Sequence, residues 1–321
     1  MARLDGVGVA FCGGGFRSFA EVAAIEDMEC NDVRIAAAAG TSMGSMVAVL
    51  TAAGLPSSRI EELLVKMDRR VVEGGFLKNM QFKVLNMVKS NGFLDSGVME
   101  GYARDILGEA GALHMDDLKM PVAIPAVDIT TGQLCVFTND PDLFGDPNGS
   151  WACLTGNLDL AKCVTCSASY PLAVTPTQYL GRTFMDGGCR MNLPTPLFDR
   201  GSVDAVVGVG LIRSMSPLES PAPIDIARRT MACGANQLDR LYSQAADVYV
   251  NLPVSGDDAF QAGTGRQVID EARAMLAAHP VDWVAARPSG FTALRRAALD
   301  ALAKVMRPQG SEWQEGQAPR P

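Results

Sequence analysis

The sequence predicts a three-layer α/β fold built around a mainly parallel sheet, and three observations lead there. Short apolar, strand-like runs alternate with helical segments along most of the 321 residues. Glycine-bearing turns follow the first two of these runs, as expected where functional loops gather at strand C-termini. The chain is 48% hydrophobic, enough to bury a large core in one domain, although the length alone would also admit two.

Taken in order, Val7–Phe11 reads as the first strand and Arg17–Met28 as the helix after it. Val33–Ala39 is a short apolar run suited to a buried strand, followed by helices over Met43–Ala53 and Ser57–Val71. Ser96 is a plausible N-cap for a helix running to about Glu109. Met120–Ile129 and Gln133–Phe137 flank Thr130-Thr131-Gly132 and predict a hairpin, with Asp128 capping its turn. Asn139–Asn157, rich in Asp, Pro, Gly and Asn, reads as a loop leading to a helix that contains Cys163. A short apolar strand ends at Asp186, and Ala205–Leu211 is nearly all apolar and β-prone, as a central parallel strand should be. A helix over Ile224–Gln244, a strand over Val248–Leu252 and helices over Gly265–Ala278 and Phe291–Met306 complete the ordered part. Residues 307–321, rich in Pro, Gly, Gln and Glu, read as a mobile tail, leaving residues 1–306 as one domain.

Composition narrows the function classes. A formal charge of −8 disfavours nucleic acid, whose phosphates such a surface repels. The N-terminus enters the first strand with no signal peptide, and no run of 18 apolar residues is present to span a bilayer. Eight cysteines in that setting read as reduced, mostly buried thiols, and the lone Cys163-Val164-Thr165-Cys166 pair has no second pair at zinc spacing. The expectation is a cytoplasmic protein, or one bound peripherally to a membrane. One segment bears on the second option. Residues 74–94 hold no acid but carry Lys78, Lys83 and Lys89, while Leu77, Met80, Val84, Met87 and Val88 recur at near-helical spacing. Such a cationic amphipathic segment suits a membrane surface or a lid, although an ordinary surface helix packed on the core is the favoured reading of the pattern alone.

Three stretches carry chemistry. Gly40-Thr41-Ser42-Met43-Gly44 puts a serine in a G-x-S-x-G frame between a strand and a helix. A serine there sits on a sharp turn with its hydroxyl outward and a helix N-terminus beneath it, the geometry of a nucleophile. Upstream, Gly13-Gly14-Gly15 lies between a strand and a helix and exposes backbone N–H groups that bind negative charge. Phosphate is one candidate anion, but G-x-x-x-x-G-K-[ST] is absent and Ser18 breaks G-x-G-x-x-G. An oxyanion hole beside the serine fits better. A serine also needs a neighbour to take its proton. The chain has two histidines, His114 and His279, and one carboxylate in a suggestive setting, Asp186 before Gly187-Gly188. Asp-Gly is also a turn signal on its own.

Together these blocks resemble the patatin-like phospholipase family. Gly13-Gly14-Gly15-Phe16-Arg17, then Gly40-Thr41-Ser42-Met43-Gly44, then Asp186-Gly187-Gly188 with Asn192 and Pro194 occur in the family's order. The likeness covers roughly residues 5 to 250 and includes the small-residue stretch Cys166-Ser167-Ala168-Ser169-Tyr170-Pro171. Ser18 departs from it, standing where the family usually has glycine, and Cys163 and Cys166 replace small residues. The resemblance implies a patatin-like α/β/α catalytic domain over residues 1–306 and a Ser42–Asp186 dyad acting on phospholipids or other acyl esters. It implies an oxyanion hole from Gly13, Gly14 and Gly15, with Arg17 either assisting or pairing with a nearby carboxylate, and it requires no metal or organic cofactor. Two other readings stand beside it: a Ser42–Asp186–His279 triad in α/β-hydrolase order, and a non-catalytic scaffold or nucleotide-binding protein that reuses the glycine loop.

Overall fold

The computed structural model describes residues 4–74, 94–146, 148–215, 217, 222–256, 261–286 and 292–306. The cationic segment with Lys78, Lys83 and Lys89, and the tail from residue 307, lie outside the described residues.

Among the described residues, nine strands form one sheet: β1 (Val7–Phe11), β2 (Ile35–Gly40), β3 (Val122–Asp128), β4 (Gln133–Thr138), β5 (Ala152–Leu154), β6 (Thr177–Tyr179), β7 (Arg182–Asp186), β8 (Val206–Gly210) and β9 (Val248–Asn251). The main order is β5-β4-β3-β2-β1-β8-β9, with β7 pairing to β3 and β6. The five strands β3, β2, β1, β8 and β9 run parallel, flanked by the antiparallel β3–β4 hairpin. Helices cover both sides of this sheet. They are α1 (Glu21–Cys30), α2 (Met43–Ala52), α3 (Ser57–Glu73), α4 (Ser96–Ala110), α5 (Pro141–Phe144), α6 (Leu160–Ala168), α7 (Pro223–Ser243), α8 (Gly265–Ala278) and α9 (Thr292–Met306).

The buried strands have the composition this architecture demands. Every residue of β1, β3 and β8 is buried, so each reads as a continuous apolar run rather than an alternation. On α3, Ile60, Leu63, Leu64, Met67 and Val71 recur at helical spacing and are all buried, which gives that helix one face for the core. Phe11, Phe19, Phe137, Phe144, Phe184 and Phe198 are among the largest fully buried side chains. Among the described residues, no helix is long and apolar enough to cross a membrane.

Three local expectations are corrected. The helix expected from Arg17 starts as a 3₁₀ turn over Gly15–Ala20 and becomes α-helical only at Glu21. The cap of α4 is Asp95, whose side chain accepts from Gly97 N, because a carboxylate one position earlier outcompetes the Ser96 hydroxyl. The Asn139–Asn157 loop contains α5, capped by Asp140, and the edge strand β5. Their shortness hides them behind the turn-forming residues around them.

Two features of the topology place the site. Strand order reverses at β1, because β2 lies on one side of it and β8 on the other. That reversal opens a crevice beyond the C-terminal end of β1. The second concerns the edge of β3. β2 pairs with Val122 and Ala123 and ends at Gly40, whereas β7 pairs antiparallel with Ala126, Val127 and Asp128. β4 occupies the other edge of β3 throughout, so β7 takes up the edge where β2 leaves it. The turn after β2 and the last residue of β7 therefore meet.

Candidate active site

Ser42 occupies the turn between β2 and α2 with φ 53° and ψ −130°, a conformation that L-residues avoid. Holding a non-glycine residue there costs on the order of 1–3 kcal/mol and is seen where the surrounding structure enforces it. Here the enforcement is visible. Ser42 N donates to Ser167 Oγ (2.9 Å), and Ser167 Oγ donates onward to Pro125 O (2.6 Å) on β3. Thr41 Oγ1 donates to Met191 O (2.9 Å). Gly44 is required by close approach, since a Cβ there would stand 2.5 Å from Cys12 O. Gly40 likewise faces Gly44 O, and Gly187 faces Pro125 O, each at 2.2 Å from a built Cβ.

The loop after β1 is tied back at two carbonyls. Asn192 Nδ2 donates to Gly13 O (3.1 Å), and Arg17 Nε reaches Gly14 O (3.4 Å). In a trans peptide the following N–H points opposite to the carbonyl. The N–H groups of Gly14 and Gly15 are thus turned away from Asn192 and Arg17, and no partner holds them among the described residues. Gly13 is the exception. Its own N–H donates to Asn192 O (3.1 Å), so Gly13 shapes the loop and is not available as an oxyanion donor, contrary to the sequence expectation. Ser18, the unusual residue of the motif, is fully buried and donates to Cys12 O (3.1 Å), where it braces the base of the loop.

Asp186 ends β7 and is 2% exposed. Its Oδ1 accepts from Gly188 N (2.7 Å), while buried Oδ2 has no full hydrogen bond among the described residues. Burial pushes the carboxyl up to about 6, and the nearby Ser42 hydroxyl and the Gly188 N–H pull in the opposite direction. Asp186-Gly187, which on its own also signals a hairpin turn, leads instead into a short 3₁₀ helix over Gly187–Cys189. Asp128, by contrast, is committed to its own hairpin: Oδ1 accepts from Thr130 N (3.0 Å) and Oδ2 pairs with Arg182 (3.2 Å).

Ser42, Asp186, Gly13, Gly14, Gly15, Arg17 and Gly188 line one cavity of about 810 Å³. His279 lies outside it, exposed at the C-terminal end of α8. His114 is also exposed, 3.9 Å from Asp117. Cys163 and Cys166 are buried in α6, and burial pushes both thiols up.

Five residues at this site escape a reading of the sequence. Ser167 belongs to a run of small residues whose only signal is size. Asp239 accepts from Asn192 Nδ2 (2.8 Å) and so backs the loop clamp. Burial pushes it up to about 7, and its Oδ1 has no full hydrogen bond among the described residues. Its signal is an acid three residues before buried Tyr242, on the inward stripe of α7. Arg213, Arg228 and Arg229 also line the cavity, although nothing in the motifs points to them.

The chain is similar to known proteins over most of its length. It is 28% identical over 235 residues to the uncharacterized protein YqhO of Bacillus subtilis, covering 68% of this chain and 74% of that one. It is 22% identical over 207 residues to the uncharacterized protein R571 of Acanthamoeba polyphaga mimivirus, covering 63% of this chain and 64% of that one, less than two thirds of its length. Among solved structures, VipD from Legionella pneumophila aligns with a TM-score of 0.40 at 12% identity, over 95% of this chain and 75% of VipD. The family model for patatin-like phospholipase matches residues 9–199, a span that holds the glycine loop, the serine turn and Asp186. On that match, the chain belongs to the patatin-like phospholipase family.

Proposed function

We propose that the protein is a serine acyl hydrolase that cleaves fatty-acyl esters, phospholipids among them, with Ser42 as nucleophile and Asp186 as the base. Family membership supports lipid acyl hydrolysis in general. The observation that carries the finer reading is the strained Ser42 beside a buried carboxylate whose Oδ2 lacks a full hydrogen bond.

In this mechanism Ser42 Oγ attacks the ester carbonyl carbon as its proton passes to Asp186. The carbonyl oxygen becomes an oxyanion, which the N–H groups of Gly14 and Gly15 stabilise, with the positive charge of Arg17 nearby. The C–O bond to the alcohol breaks, and Asp186 returns the proton to the departing oxygen. Water then attacks the acyl-enzyme, again giving its proton to Asp186. Collapse frees the fatty acid and restores the Ser42 hydroxyl with that proton. A carboxyl held near 6 suits the cycle, since it is ionised at neutral pH yet basic enough to accept a proton.

Turnover of a p-nitrophenyl ester and covalent labelling by a fluorophosphonate test this reading. Ser42→Ala abolishes both, Asp186→Asn abolishes turnover, and His279→Ala leaves turnover intact. Loss of turnover in His279→Ala would restore the triad. Absence of labelling together with thermal stabilisation by ATP would favour the scaffold.

A further inference from the structure

The walls of the cavity differ in kind. Met67, Val71, Leu94, Met99 and Val174 make one side apolar and able to take an acyl chain. Another side carries Arg213, after β8, and Arg228 and Arg229 on α7, with Asp225 and Asp239 as acids on the same helix. Among the described residues, Arg17, Arg213, Arg228 and Arg229 line this cavity against Asp186, Asp225 and Asp239, a surplus of one cation in a chain whose net charge is −8. In such a protein a concave surface of opposite sign concentrates anions at that point. Guanidinium groups present several donors in a planar fork, so an arginine bonded elsewhere in the protein keeps donors for a phosphate. The cationic wall also comes close to the chemistry. Tyr170, Asp186 and Arg228 line the same cavity as Ser42.

We propose that Arg213, Arg228 and Arg229 form a head-group subsite that selects acyl esters bearing a net-negative phosphate head group over zwitterionic or neutral ones. The acyl chain then lies along the apolar wall, the ester carbonyl at Ser42 and the phosphate against the arginines. This specificity rests on the acyl-hydrolase reading, but binding can be tested without turnover.

The full chain carrying Ser42→Ala is titrated calorimetrically with monomeric short-chain lysophosphatidylglycerol, with lysophosphatidylcholine of the same acyl length, and with glycerol 3-phosphate. The anionic lipid binds at least tenfold tighter than the choline lipid and than glycerol 3-phosphate, which carries the anion without the chain. Adding Arg228→Gln and Arg229→Gln cuts the lipid preference to twofold or less, whereas Arg228→Lys and Arg229→Lys keep most of it. The lysine pair separates lost charge from lost folding. Equal affinity for the two lipids, a preference that survives the glutamine pair, or glycerol 3-phosphate binding as tightly as the anionic lipid would each overturn the subsite. With Ser42 restored, the kcat/KM ratio of anionic to choline lipid falls in parallel. Selective binding without turnover of any ester would retain the subsite and remove the hydrolase reading. Turnover without selectivity would do the reverse.

Discussion

The contact between α3 and α8 and the crevice at the end of β1 both bury carboxylates, and they treat them in opposite ways. At the helix contact, Asp68 accepts from Gly263 N (2.6 Å) through one oxygen and from Gly265 N (2.8 Å) through the other. Glu61 beside it bonds Arg266 with one oxygen and Arg273 with the other, and Arg273 also reaches Glu26 (2.7 Å). At the crevice, Asp186 and Asp239 each keep one oxygen without a full hydrogen bond, and Glu21, buried at the start of α1, keeps both, among the described residues. Burial pushes all three upward. Asp68 is as well buried as this group, at 4% exposure, so burial alone does not leave a carboxylate incompletely bonded. The difference is one of purpose. A fully bonded acid fastens two elements together, while an incompletely bonded one is raised in pKa and can take a proton.

The contrast makes specific demands on variants. The largest effect is expected from Asp186→Asn, which removes the proposed proton acceptor. Turnover of a soluble acyl ester falls by about 10³-fold or more, while the melting temperature at pH 7.5 does not fall. A large loss of stability with modest loss of turnover would place Asp186 with Asp68 as a fastener.

The next expectation is a dependence on pH. Asp186 is raised in the folded protein, so the stability associated with it is fully present below its ordinary value near 4 and is lost as pH rises through about 6. That loss amounts to at most about 3 kcal/mol, and Asp186→Asn lacks this component in denaturant titrations from pH 4 to 8. Activity moves the other way, because the proposed base works only when ionised: kcat/KM rises about tenfold per pH unit below 6 and levels off above it. A profile flat from pH 4.5 to 8 would break the link between the raised carboxyl and the chemistry.

Asp68→Asn is the converse variant. An amide supplies one acceptor where two N–H groups need one each, so unfolding in urea becomes easier by about 1–3 kcal/mol. The specific activity of the folded fraction stays near wild type. The smallest effect belongs to the clamp on the glycine loop. Asn192→Ala frees Gly13 O and lowers kcat by about 10- to 100-fold, with less change in KM, since an oxyanion donor out of place acts on the transition state. Asp239→Asn, which still offers an oxygen to Asn192 Nδ2, is milder than Asp239→Ala. An equal loss in both would mean that the clamp works through the charge of Asp239.

Much of this molecule was legible in the chain. Apolar runs such as Val7–Phe11 and Val206–Gly210 are dictated by burial on both faces of a parallel sheet, so they stand out in any reading. The helix expected near Gly265 to Ala278 is found over those residues. The G-x-S-x-G and Gly13–Gly15 stretches were readable because glycine is the residue that close backbone approach leaves possible, as at Gly44 against Cys12 O. What the chain concealed was everything set by partners distant in sequence. That Gly13 gives its N–H to Asn192, 179 residues away, depends on β1 and the turn after β7 arriving side by side. That Asp186 comes beside Ser42 depends on β7 taking the edge of β3 that β2 vacates. Local preferences act over a few residues and leave their mark in composition and spacing, whereas a carboxylate's incomplete hydrogen bonding or a cavity lined by residues from separate elements exists only once the sheet has formed.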